Sequence, residues 1–208
     1  MVKVAAPCFS LGASGSLGGS LVFSNWKGTP YVRGLVKPSN PKTGPQIGVR
    51  AMFKFLAQIW DGLSDANKAT WETMAKQMNA SPFNAFMRFN QRRWRDFNTP
   101  SMETPAAEIS TPSSLMTGVA TPDVRSITLA ITHGTTPPDW GVAIFRSLTG
   151  TFSLAFSNCI AVVPVDGSGD AEYVDSPLAP DTYYYNTVGF NDDGIEGADG
   201  TEFDGTVT

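Results

Sequence analysis

Apolar residues recur at helical steps over one long stretch, residues 46–97. Val49, Met52, Phe53, Leu56, Ile59, Trp60 and Leu63 fall on one side of a helix, because residues three and four apart share a face. Trp71, Met74, Ala75 and Met78 repeat the pattern, and Phe83, Phe86, Met87, Asn90, Trp94 and Phe97 repeat it with one polar break. Start signals precede each run: Thr43-Gly44-Pro45, Ser64-Asp65 and Ser81-Pro82. A hydroxyl there can accept an orphan backbone N–H, and proline in the first turn removes a donor that has no helical partner. The spacing predicts three helices that pack through their aromatic faces.

Elsewhere the pattern has a period of two. Residues 20–36 read as a hairpin: a strand over Ser20 to Ser24, a turn at Asn25-Trp26-Lys27-Gly28, and a return from Thr29 to Val36. Pro30 confines the return strand to an edge or delays its start to Tyr31. A lone hairpin is marginal in water, so this one needs a partner. From Val124 onward, seven short strands are predicted at 126–132, 140–146, 153–156, 160–165, 171–174, 182–190 and 201–207. Strands of that length and spacing predict a β-sandwich. Residues 1–19 are rich in glycine and serine and read as a flexible arm, residues 37–45 as a proline-punctuated connector, and residues 98–123, with four prolines, as a semi-extended linker. The predicted organisation is an arm and hairpin (1–36), a three-helix docking unit (37–97), a linker (98–123) and a β-sandwich (124–208).

Two stretches add family resemblances. Leu178, Pro180, Thr182 and Tyr184, followed by Val188, Asn191 and Gly194, resemble the E–F corner and F strand of a fibronectin type III domain. The resemblance implies that Tyr184 points inward at that corner and that Trp140 is the core tryptophan. The spacing from Tyr184 to Asn191 is one residue shorter than usual, and a one-residue slip exchanges the two faces of a strand. The fold class implied is α+β in two parts: a β-hairpin with a three-helix unit, then an all-β fibronectin/Ig-like sandwich. Trp26, Lys27, Gly28, Tyr31, Val32 and Arg33, then Pro38, Asn40, Pro41, Thr43, Gln46 and Arg50, then Trp60, Leu63, Lys68 and Trp71 form a spaced pattern. It is similar to one in small structural proteins of tailed bacteriophages. That resemblance implies a virion component, capsid-associated or in the neck or tail, made in the host bacterial cytoplasm. Its partners would be other virion proteins and copies of itself. A competing resemblance joins Trp60 to Lys76 to the second and third helices of an HMG box, which implies DNA binding through basic side chains and an apolar wedge. Pro82 and the scarcity of cations in the segment directly before the helices, only Lys37 and Lys42, depart from that pattern. A third reading, glycan binding or adhesion, would use Tyr183 or Tyr185 as stacking surfaces on the sandwich.

Charge sharpens the division. Residues 1–100 hold thirteen Lys/Arg against four Asp/Glu, whereas residues 101–208 hold two against fifteen. The basic half should attract an acidic surface: nucleic acid, a protein shell or a neighbouring copy. Arg88, Arg92 and Arg95 share a helical face with Arg93 at its flank, and with Trp26, Tyr31, Arg33 and Arg50 they are the candidate interaction residues. Trp60, Leu63, Trp71, Trp94, Trp140 and Tyr184 are the candidate core.

Catalytic chemistry finds little support. His133 is the single histidine, and Cys8 and Cys159 lie far apart, so both are expected as free thiols and no zinc set is expected. Ser24 and Lys27, with Lys42-Thr43-Gly44, match fragments of penicillin-binding motifs without the third element. No phosphate-binding glycine motif is present. Asp192, Asp193, Glu196 and Asp199 lack the full calcium-loop pattern and read as a polar turn. Asn79-Ala80-Ser81 is a formal glycosylation sequon, but no secretion leader is expected from the Met1-Val2-Lys3 start, and no apolar run is long enough to cross a membrane as a helix. No enzyme activity and no cofactor is expected.

Overall fold

The computed structural model describes residues 2–3, 14–26, 28–37, 39–105, 113–191 and 196–208. It divides into two compact units, Met1–Pro41 and Lys42–Thr208.

The first unit is an antiparallel sheet. Strand β1 (Val2–Lys3) pairs with β4 (Thr29–Gly34), β4 with β3 (Leu21–Trp26), and β3 with β2 (Gly15–Leu17). Trp26 pairs with Thr29, which leaves a two-residue turn. Gly28 occupies it at φ 79°, a left-handed conformation that glycine adopts without a Cβ penalty. The hairpin is thus present, and Gly15–Leu17 of the glycine-rich arm adds a strand to it. Val2–Lys3 of the arm pairs on the other edge as β1, and residues 4–13 lie outside the described residues.

The second unit opens with three helices: α1 (Gly44–Gly62), α2 (Asp65–Met78) and α3 (Pro82–Arg95). Two of the three expected caps form through side chains. Ser64 Oγ accepts from Asn67 N at 3.2 Å, and Ser81 Oγ accepts from Asn84 N at 3.2 Å. Thr43 occupies the cap position of α1 without a side-chain bond, and Pro45 fills the first turn. Asn79 ends α2 in the left-handed region, which turns the chain before Pro82. The α1 stripe differs from expectation in one residue: Phe55 is fully buried, whereas Phe53 is 51% exposed.

The sandwich follows. Strands β5 (Thr117–Asp123), β6 (Ser126–Thr132) and β9 (Ala171–Asp175) form the smaller sheet, in the order β5-β6-β9. Strands β7 (Gly141–Ser147), β8 (Cys159–Pro164), β10 (Asp181–Phe190), β11 (Glu196–Asp199) and β12 (Phe203–Val207) form the larger. Its order is β11-β10-β7-β8, with β12 also on β10. All pairs are antiparallel. This is a fibronectin/Ig-like sandwich beside three helices, an α+β chain.

The structure corrects the four-part division. Five consecutive residues of β7, Gly141 to Phe145, are buried. Val142 and Ile144 face the smaller sheet, with Ile127, Leu129, Ile131 and Tyr185. Ala143 and Phe145 face the other way, into one core with Phe55, Trp71, Phe86 and Trp94. The helices therefore form a third layer on the outer face of the larger sheet, not a separate docking unit. Phe55 meets Trp140 and Phe190 edge-on at 5.4 and 5.5 Å, and Phe97 meets Phe145 at 5.9 Å. Burying one such ring contributes about 2–3 kcal/mol, and edge-on pairing adds about 1 kcal/mol. Close approach needs small residues. A Cβ on Gly48 would stand 2.9 Å from the Phe156 carbonyl oxygen.

The 98–123 linker is also revised. Ser101 N donates to Asn90 Oδ1 at 2.8 Å and Asn90 Nδ2 donates to the Ser101 carbonyl at 2.9 Å, both buried. Trp71 Nε1 donates to the Met102 carbonyl at 2.9 Å. Residues 99–104 are thus strapped across α2 and α3, and Thr117–Asp123 is the edge strand β5, where Pro122 is tolerated. Proline-rich composition marks both a linker and an edge, and only the long-range pairing separates them. Residues 153–156, expected as a strand, instead lead into a 3-10 turn at Phe156–Asn158.

Two expectations test this shared core. Phe55→Ala should cost about 3–5 kcal/mol. In denaturant titrations of the intact chain, helix ellipticity and tryptophan fluorescence should still move through one coincident transition, because helices and sandwich share one core. Cys159 is buried, and desolvation pushes its thiol up from 9.0 to about 12. The unfolded thiol ionises first as pH rises, so this group contributes a loss of about 1.4 kcal/mol per pH unit between those values. In a Cys8→Ser background, the native protein should resist aromatic disulfide reagents at pH 8 and react within seconds of unfolding.

Candidate interaction surfaces

The candidate interaction residues fall on separate surfaces. On the N-terminal sheet, register places Val22, Ser24 and Trp26 of β3 on the same face as Thr29, Tyr31 and Arg33 of β4. Trp26, Tyr31 and Arg33 are therefore neighbours on one polar face, with Trp26 67% exposed. Arg50 is exposed on α1. Arg88, Arg92 and Arg95 are exposed on α3 and, with Gln91 and Asp96, line a concavity of about 580 Å³.

Arg93 leaves that set. Its Nε donates to the Thr99 carbonyl at 2.7 Å, and its guanidinium lies 5.7 Å from the centre of the Phe89 ring. It anchors the strap after α3 and is not displayed. Gln91 Nε2 donates to the Val49 carbonyl at 3.3 Å, which ties this part of α3 to α1.

The opposite face of the N-terminal sheet was not singled out by sequence. It carries Leu17 of β2, Leu21, Phe23 and Asn25 of β3, and Pro30 and Val32 of β4. All of these but Asn25 are apolar. Leu17 and Leu21 are 56% and 41% exposed, Asn25 is exposed, and Phe23, Pro30 and Val32 are half-buried. No described residue from 14 to 41 is buried. The missed signal was the period of two in β3 and β4, which can be assigned to a face only once the register is known.

The core candidates sort differently. Leu63, Trp71, Trp94 and Trp140 are buried, and Trp60 is half-buried against Phe83 and Phe86. Trp140 faces the helices and not the space between the sheets. Tyr184 is only half-buried and sits on the face opposite its neighbours Tyr183 and Tyr185, which are buried between the sheets. The short spacing noted above has this consequence: the register slips by one residue. Tyr183 makes the corner bond, its hydroxyl donating to the Ala179 carbonyl at 3.0 Å. Tyr185 donates to Asp175 Oδ2 at 3.0 Å, and Arg146 Nη1 donates to the same oxygen at 2.6 Å. Burial, and next the Asp175 carboxylate, raise the Tyr185 phenol above its ordinary range. These tyrosines cannot stack on a sugar.

His133 has a partner. Its Nδ1 lies 2.9 Å from Asp170 Oδ1, and its backbone N donates to that oxygen at 3.1 Å. The pair joins a strand end to the loop before β9. Asp166 accepts from Ser168 Oγ, Ser168 N and Asp170 N in that loop; the bond from the Ser168 hydroxyl leads in holding its carboxyl below the usual range. Among the described residues no three His, Cys, Asp or Glu side chains gather to hold a metal ion, and no helix is long and apolar enough to cross a membrane. The Asp192-Asp193-Gly194 turn lies outside the described residues.

No protein-family model matches the chain, and no curated protein matches it. Solved structures match in part. A β-1,2-glucanase from Parabacteroides distasonis aligns at 16% identity and a TM-score of 0.39, covering 50% of this chain and 14% of the glucanase. A pectate lyase from Erwinia chrysanthemi aligns at 13% identity and 0.34, covering 43% and 27%. An Fn3-like protein from Clostridium thermocellum aligns at 17% identity and 0.30, covering 46% of this chain and 92% of that one. The chain thus spans about a seventh of the glucanase and about a quarter of the lyase.

Proposed function

We propose that this chain is a non-enzymatic structural protein of a tailed-bacteriophage virion, a capsid-associated or neck and tail component that docks through its N-terminal part and displays an Ig-like sandwich. The virion setting rests on the spaced Trp26–Trp71 pattern in the sequence. The docking mechanism rests on one observation: the face that carries the apolar residues Leu17, Leu21, Phe23, Pro30 and Val32, with no described residue from 14 to 41 buried. A sheet is stable when one face is removed from water, so this one supports assembly against a neighbouring subunit. The aromatic faces of the helices, by contrast, are already used within the chain.

The test is light scattering on the purified chain across a salt series, with and without duplex DNA. Discrete multimers indifferent to DNA are expected. A monomer whose DNA affinity falls steeply with salt would replace this reading with the HMG-like one. Phe23→Lys, on the apolar face, should abolish or strongly weaken assembly. Ser24→Lys, one residue along on the polar face, should leave it intact.

A further inference from the structure

We infer that the arginine row of α3 is an electrostatic docking site for the acidic β-sandwich of a second copy of this chain. The inference rests on the assembly reading above and names the partner of a second surface.

Arg88, Arg92 and Arg95 are spaced by four and three residues, so they project from one face over about 10 Å of helix. All three are exposed, and among the described residues no carboxylate lies within ion-pair distance of them. Three unpaired guanidiniums beside one another repel. That arrangement is stabilised by an external anion, and guanidinium forks suit carboxylates.

The complementary surface is on the same molecule. Residues 101–208 contain two cations, Arg125 and Arg146. Arg146 is already bound to Asp175 between the sheets. Arg125 is thus left as the one exposed cation against many exposed carboxylates, among them Asp123, Glu172, Asp181, Asp199 and Asp204. One copy therefore offers a row of unpaired cations, and the next offers a field of carboxylates with almost no cations of its own. The contact joins unlike surfaces, so it is head-to-tail, and it gives a discrete multimer where the rotation closes into a ring.

DNA fits the row less well. The chain as a whole carries −4, which repels a polyanion at long range.

The experiment combines charge reversal with cross-linking of the full chain. Sedimentation is run at 50 and 500 mM salt on wild type and on R88E/R92E/R95E. In parallel, R88K/R92K/R95K is mixed as light and isotope-labelled chains and treated with a water-soluble carbodiimide, which joins amines to carboxylates at zero length. The expected result is self-association weakened roughly tenfold or more by salt and by charge reversal. Light–heavy cross-links should join positions 88, 92 or 95 to carboxylates of residues 113–208. Multimers that survive charge reversal would overturn this inference while the assembly reading stands. A wild type that is monomeric at every concentration, or charge reversal that abolishes DNA binding and leaves association unchanged, would also overturn it.

Discussion

The packing of α1 onto the outer face of β7 and β8 is the constraint on which the larger unit depends. In a two-sheet sandwich the outer face of each sheet ordinarily meets water, and its strands alternate between apolar and polar positions. Here β7 begins Gly-Val-Ala-Ile-Phe, with all five of those residues buried. Phe55, Trp140 and Phe190 interlock edge-on on that outer face. Glycine at 48 and 141 lets helix and strand approach, since a Cβ at either would meet neighbouring atoms closer than 3 Å. Without the helices the larger sheet would expose an aromatic surface. Without the sheet the helices would lose their floor.

The second organising feature lies between the sheets. Asp175 on the smaller sheet holds Arg146 and Tyr185 of the larger one through a single carboxylate oxygen. Arg146 also lies 5.3 Å from the centre of the Tyr183 ring. A carboxylate buried alone is costly, whereas one that accepts two bonds, one of them charged, fixes the alignment of the two layers. The same pairing removes one of the two sandwich cations from the surface, so the packing of the interior sharpens the external charge contrast.

Much was legible in the sequence for local reasons. Cap residues, proline positions and helical periodicity specify α1, α2 and α3 because these signals act within a few residues. The alternation at 126–132 placed β6 over the same residues. The opposed charges of the two halves follow from counting. What sequence could not reach were choices between faces. Phe53 and Phe55 fit the same stripe until the sheet selects Phe55. Tyr184 fits the corner motif until the register turns it outward and buries Tyr183 and Tyr185.

Sequence alone therefore determined the three helices, the N-terminal hairpin, most of the sandwich strands and the charge contrast between halves, because propensity, capping and composition are properties of short segments. Tertiary structure decided which of these elements share a core. It turned residues 99–104 into a strap through Asn90 and Trp71, made an edge strand of Thr117–Asp123, and set the helices on the sandwich. It also separated Arg93, bound to Thr99, from the exposed row beside it. The physical reason is common to all of these. Burial and register are set by partners distant in the chain, and a one-residue change in register exchanges the face that meets the core for the face that meets water.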